Sequence, residues 1–508
     1  MKKRSRINIQ FLIVLISIFQ TSTLFALKIP ITGILLDSET KAPLPYASII
    51  IKGKHKATVS NSEGVFVLER EGISLEDTIQ FLYMGYETIK MTVSAFEKAT
   101  TLYMLPQAMD LEEVRVLSRT ITAEEIIKKA HANFEKNHSI ATNKQRIFLH
   151  IFEKVPFQKE NKINLKETNF VGLDKKTVEE LLKKMPKEFV DYQDAIVDLY
   201  SNESKYKLIP VKGISLEEGS QKELMQEFED KLSVFAKDIE KSIGEKDIYY
   251  KIRTGILSKK LGNKNKDKEE WNKDTTNYEN DSLNYTIQTI QVKDYFSYLL
   301  KNYATKECDN WEFINSTRKY DYVLEDIVDY NNELIYKISF TPEKKGLFVG
   351  TVYISTSSFA ILQLDFSFDE GKKSDNFNLL GFKHSTDYKE GHIIFEKGSS
   401  GYFAKYISVK QKEFTSINRD FAIMKKQKRL LMDKELNEFK IEVELFFYSE
   451  SHWEFLVLDR EEIALSQFEK VIEPVSMKFK KEYSYSPDIW ENGTIIVPTN
   501  ELKKYIRE

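Results

Sequence analysis

The chain has 508 residues, 41% of them hydrophobic and 30% charged, with a formal net charge of −3. That balance suits about two to four globular domains with real cores and, lacking a basic excess, argues against nucleic acid as a partner. The single cysteine, Cys308, excludes a small disulfide-stapled scaffold.

The chain opens Met1-Lys2-Lys3-Arg4-Ser5-Arg6, runs apolar from Phe11 to Phe19, and turns small and polar up to Ala26. A basic start, a short apolar core and a small residue at the end are the pattern of a secretory signal peptide over residues 1–26. An uncleaved anchor helix is the alternative, although the apolar core is short for a span. No cysteine follows that core to take a lipid. Beyond Ala26 no segment is apolar for the length of a membrane helix, so no transmembrane span is expected once the signal is removed.

Residues 28–106 read as a small β-sandwich, with short strands punctuated by turn residues at close intervals. Ala47, Ile49 and Ile51 share one face of a strand. Asn61-Ser62-Glu63-Gly64 reads as a turn, with Gly64 free to take positive φ, and Phe66 and Leu68 follow on one face. Residues 107–121 read as a linker strand. Thr122 and Glu125 have the spacing of a capping box, opening a helix whose apolar stripe is Ile126, Ile127, Ala130 and Phe134. Strand pattern returns at Arg146–Phe152. Residues 174–260 carry helical spacing and many charges and read as a helical insertion within a mixed region, 122–300. Residues 258–275 are nearly devoid of apolar side chains and read as an exposed loop.

From residue 301 to 508 the chain reads as an antiparallel β domain with a C-terminal helix through Leu502 and Tyr505. Tyr336, Ile338 and Phe340, then Leu362, Leu364, Phe366 and Phe368, then Ile441, Val443 and Leu445, alternate with polar residues. Such period-two runs predict a sheet with one buried and one wet face. Charged outer faces and a charged end argue against a lipid-facing barrel. The fold class is therefore mainly β with a helical insertion.

The first module resembles the carboxypeptidase regulatory-like domain, a prealbumin-like (transthyretin-like) β-sandwich common in exported proteins of Bacteroidetes-type bacteria. The resemblance is carried by Ile31-x-Gly33…Asp37, Pro43-Leu44-Pro45-x-Ala47, Ile51-x-Gly53, Thr58-x-Ser60…Gly64-x-Phe66-x-Leu68 and Gly85-Tyr86-Glu87. The remainder is similar, more loosely, to the bodies of envelope proteins of the same group. Phe340-x-Pro342…Phe348-x-Gly350-x-Val352-Tyr353-Ile354 resembles half-barrel sheets of lipoprotein-carrier type. The resemblance implies a place in the periplasm or at the periplasmic face of the outer membrane, with an envelope protein or outer-membrane component as partner.

Five histidines and the cysteine offer candidate chemistry. His150-Ile151-Phe152-Glu153 fits the His-x-x-Glu of a metallocarboxypeptidase zinc site, which also needs a distant His. In a strand, however, residues three apart point to opposite faces. His131 and His138 read as solvated helix residues. His384 and His392, with Asp387 and Glu390, read as a polar hairpin turn, with a metal site as the alternative. Cys308 lies between Glu307 and Asp309, which raise a thiol pKa. Trp311, Trp453, Trp490, Tyr483 and Tyr485 could stack on a sugar or peptide, or pack in a core. No nucleophile elbow, phosphate loop or calcium loop occurs.

No catalytic, cofactor-binding or metal residue is assigned on this basis, and no cofactor is expected. The reading is a non-enzymatic exported envelope protein: a sandwich adaptor and a β-rich domain that binds a protein, or an apolar or carbohydrate ligand of unknown identity. The alternative is an envelope peptidase or hydrolase whose site is assembled from distant residues.

Overall fold

The computed structural model describes residues 30–482, apart from 108–120, 262–283, most of 217–246 and a few further positions. The expected signal peptide, linker strand and C-terminal helix lie outside the described residues, as do Tyr483, Tyr485 and Trp490. The chain forms two compact units.

The first unit carries β1 (Ile31–Asp37), β2 (Ser48–Ile51), β3 (Ala57–Val59), β4 (Val65–Leu68), β5 (Thr78–Leu82), β6 (Ile89–Thr92), a one-turn helix α1 (Val93–Phe96) and β7 (Thr101–Met104). They make a three-stranded sheet, β4-β1-β7, and a four-stranded sheet, β3-β2-β5-β6. The period-two alternation of β1 buries Ile31, Gly33, Leu35 and Asp37. Phe66 from one sheet and Phe81 from the other meet edge to face at 5.7 Å, and the ring of Phe96 lies within 5.6 Å of both. The turn from β3 to β4 carries the chain from one sheet to the other. There the Asn61 carboxamide oxygen accepts from the backbone N–H of Glu63 and Val65, both at 2.9 Å. Gly64 sits at φ +74°, where a Cβ would lie 2.4 Å from the Leu35 carbonyl oxygen. Only glycine fits there without moving backbone.

The second unit holds α2 (Ala123–His138), β8 (Asn143–Pro156), β9 (Lys162–Thr168), α3 (Lys175–Lys183), β10 (Glu188–Asn202), β11 (Lys205–Leu216), β12 (Ile248–Thr254), β13 (Leu257–Leu261), β14 (Asn284–Gln288) and α4 (Thr289–Tyr303). It continues with α5 (Glu312–Asn315), β15 (Tyr320–Tyr330), β16 (Glu333–Pro342), β17 (Phe348–Ser355), β18 (Ile361–Phe368), β19 (Ser374–Leu379) and β20 (Phe382–Lys397). The long hairpin β21 (Tyr402–Gln427) and β22 (Lys434–Glu462), then α6 (Leu465–Lys470) and β23 (Ser476–Glu482), complete it. These strands form one 16-stranded sheet whose main path is β14-β23-β11-β10-β8-β22-β21-β20-β18-β17-β16-β15. The pairing is antiparallel along this path except at β11 and β23, which run parallel.

Two expectations are corrected here. The division near residue 300 is absent, because strands from both sides share one sheet and one core. The helical reading of 174–260 holds at α3 but gives way to strands at β10 and β11. Their charges sit at strand positions, and Tyr192, Ala195, Val197 and Leu199 are buried. Tertiary pairing overrides the local propensity.

The capping box forms as expected: the Thr122 hydroxyl accepts from the Glu125 N–H at 3.2 Å, and the Glu125 carboxylate accepts from the Thr122 N–H at 2.9 Å. The stripe of α2 then joins a single apolar core with α4, α5 and one face of the sheet. Trp311, Phe134 and Phe395 pack edge to face at 5.4–6.2 Å, and Phe313 stacks on Phe340 at 4.1 Å. Among the described residues no helix is long and apolar enough to cross a membrane.

Candidate functional site

The helix-bearing face of the large sheet is the natural place for a carried apolar ligand, and it is filled. Trp311, Phe296, Phe313 and Tyr303 are all fully buried there. A cavity of about 760 Å³ opens nearby, lined by Lys205, Tyr206, Lys207, Lys293, Phe468 and Glu473. Two of its lysines serve the fold. Lys207 Nζ donates to the carbonyls of Phe468, Glu469 and Val471 at 2.9–3.0 Å, and Lys293 pairs with Glu473 at 3.0 Å.

The other face of the sheet carries the unexpected chemistry. Register places Asp194 opposite His150, His150 opposite Glu454, Glu454 opposite Ser408, Ser408 opposite His392, and His392 opposite Asp365. A row of polar side chains thus crosses six neighbouring strands on one face, since partners in register point the same way. The next row sets Tyr192, Phe152, His452 and Lys410 side by side.

At the centre of these rows His150, His452 and Glu454 converge. One ligand-type atom from each lies within 4.8 Å of the others. His150 and Glu454 are 9% and 5% exposed, too little for water to satisfy them. Neighbours do so instead. Asp194 Oδ1 sits 2.8 Å from His150 Nδ1, and the Tyr192 hydroxyl donates to Asp194 Oδ2 at 2.7 Å. The Tyr406 hydroxyl donates to Glu454 Oε1. Ser408 Oγ lies 3.0 Å from His452 Nε2.

Burial disfavours a charged His150 ring, but the hydrogen bond and charge of Asp194, with Glu454 behind, outweigh it and hold its pKa above the ordinary value. Burial drives His452 the other way, well below the ordinary range, helped by His150 and Lys410. Burial also lifts the Glu454 carboxyl. Three titratable groups in contact are therefore pushed apart by one environment.

The residues singled out from sequence fall elsewhere or in different company. His150 and Glu153 both lie on β8, three apart, with Glu153 beside Asp191 and Trp453 rather than Asp194. His384, Asp387, Glu390 and His392 are not a turn: all four lie within the single strand β20. His384 bonds Thr415, while His392 pairs with Asp365. His138 is not solvated. Its ring stacks on Phe134 at 4.1 Å, and its nitrogens lie 3.0 and 3.1 Å from the carbonyls of Phe134 and Ile361. Cys308 is buried, and burial first, then Asp309, pushes its thiol far above the ordinary range. Trp311 is core, and Trp453 packs edge to face with Tyr298 at 5.7 Å.

Residues 31–116 match the CarboxypepD_reg-like domain, in agreement with the sandwich observed there. Residues 314–415, which run from the end of α5 into β21, match a family of unknown function, DUF5686. No curated protein matches the chain.

Proposed function

We propose that this chain is an exported, non-enzymatic cell-envelope protein that works by binding, with the sandwich as an adaptor and the large sheet as a platform seated at a membrane surface. The observation that carries the reading is the tip of the β21–β22 hairpin. There Leu430, Leu431 and Met432 are 102%, 98% and 82% exposed. They stand among Lys425, Lys426, Lys428, Arg429 and Lys434, against the acidic Asp433 and Glu435 alone. An apolar point in water serves no purpose for an isolated fold. An apolar point with a basic collar is complementary to a bilayer that carries anionic headgroups. The filled core around Trp311 and Phe313, and the lysines that line the neighbouring cavity, also weigh against the carriage of an apolar ligand. The signal-like start at residues 1–26 supports placement in the envelope.

The test is flotation of the full chain with vesicles. Wild-type protein should rise with vesicles containing anionic lipid and less with zwitterionic ones, and high salt should weaken the association. The double variant L430D/L431D should stay at the bottom with an unchanged melting temperature, because both side chains lie in solvent. Wild-type protein that fails to float on anionic vesicles would overturn the reading.

A further inference from the structure

We infer that His150, His452 and Glu454 form a metal site for a borderline divalent cation of the zinc class, clamping β8 to β22. Three features of the geometry carry this beyond a buried hydrogen-bond network.

The first is the donor set. Two imidazoles and one carboxylate are the ligands that suit zinc and its first-row neighbours, whereas calcium and magnesium seek oxygen alone. Strand pairing aims all three from one face. Glu454 is the register partner of His150, and His452 lies two residues from Glu454, so it returns to the same side. Donor atoms around a tetrahedral zinc stand about 3.3 Å apart, as follows from bond lengths near 2.0–2.1 Å. The three atoms here, within 4.8 Å of one another, need only side-chain adjustment to reach that spacing.

The second is the surrounding shell. Ligating histidines characteristically give their other ring N–H to a carboxylate or another oxygen, which fixes the tautomer and aims the lone pair. Asp194 holds Nδ1 of His150 at 2.8 Å, which leaves Nε2 as its donor atom. Tyr192 in turn holds Asp194 at 2.7 Å. Ser408 lies 3.0 Å from Nε2 of His452, the ring nitrogen that also faces Glu454 Oε1 at 3.9 Å. Tyr406 binds one oxygen of Glu454. Each of the three ligands thus has an orienting partner on its own or the adjoining strand.

The third is charge. Asp194 and Glu454 bring two carboxylates into a buried site, with the His150 ring between them in register and Lys410 opposite His452. Buried carboxylates of this kind are paired or bind cations. A dication balances them and leaves both rings neutral, as ligation requires. The site draws its ligands from two strands remote in sequence, so an occupied site ties the start of the large unit to its end.

The experiment uses the full chain, stripped with a chelator and titrated with zinc by calorimetry and with cobalt by visible absorption. One equivalent of each should bind, with cobalt giving ligand-field bands, and zinc should raise the melting temperature. His452→Asn and Glu454→Gln should each abolish saturable binding. Asp194→Asn, a positioning change, should weaken it by roughly 10–100-fold while the cobalt bands persist at saturation. Failure of the stripped wild type to bind either metal would overturn the inference, as would undiminished binding by both ligand variants. Should a variant not fold, the wild-type cobalt spectrum alone decides. A site lacking histidine ligation would give the weak octahedral bands of aqueous cobalt, and that result would also reject the assignment. Vesicle flotation is independent of all these outcomes, so either proposal can fail alone.

Discussion

Phe313→Ala tests whether the helix-bearing face of the large sheet is a packed core or a deformable ligand space. Phe313 is fully buried on α5. It stacks on Phe340 at 4.1 Å and meets Phe366 at 5.3 Å and Phe348 at 5.9 Å. In a close-packed interior, removing such a ring loses its transfer free energy and leaves a cavity that three neighbouring rings cannot all collapse into. The expected cost is about 3–5 kcal/mol. Urea unfolding followed by tryptophan fluorescence measures it, because Trp311 and Trp453 both lie in the large unit. Phe377→Ala is the control: its ring is 51% exposed, and the expected change is below about 0.5 kcal/mol. A Phe313→Ala cost under about 1 kcal/mol would refute the argument, since it would mean that this face tolerates vacancies as a lipid-carrying pocket does.

Two further outcomes follow from the geometry. Gly64→Ala should destabilise the sandwich more than Gly72→Ala. Both sit at positive φ, which costs about 1–2 kcal/mol for a residue with a Cβ, but only Gly64 also meets a carbonyl, at 2.4 Å. Thermal melts of the two variants separate the terms, and equal losses would remove the steric one. His138 should make stability fall in mild acid. Burial, opposed in part by the two carbonyls, holds its pKa below the ordinary value. Below about pH 6.5 the unfolded chain therefore takes up a proton that the folded chain refuses. Stability drops as pH falls from there toward the folded pKa, by at most about 1.4 kcal/mol per pH unit. His138→Gln should reduce that slope between pH 7 and 5.5 in urea titrations, leaving the part that His452, depressed by burial in the same sense, supplies, and an unchanged slope would contradict the assignment.

What could be read from sequence depended on how far apart the interacting residues lie. The capping box at Thr122 and the alternation in β16 and β18 are local, and they are found where their spacing puts them. β10 is harder. Its two faces are both largely buried, so polar Gln193, Asp194 and Asp198 interrupt any period and mimic a charged helix. Ile441 and Leu445 alternate cleanly yet are only half-buried, because that part of the hairpin has no filled face beneath it. The cluster at His150 was out of reach for a different reason. Its partners come from β10 and β22, and pairing with β22 is set by the whole sheet. The one available signal was His452-x-Glu454 in a strand, which puts both side chains on the same face, but nothing nearby pointed to His150.

The place of β8 has a consequence for how the molecule is made. Its Asn143–Pro156 backbone is hydrogen-bonded to β10 on one side and, on the other, to Glu450–Glu462 of β22. While the chain emerges from its N-terminus, one border of β8 stays bare until β22 has been synthesised. Open borders of this kind recruit foreign strands. Closing a loop of that span is also slow. The nascent protein therefore passes through a long interval in which pairing with another copy of itself competes with completion of its own sheet.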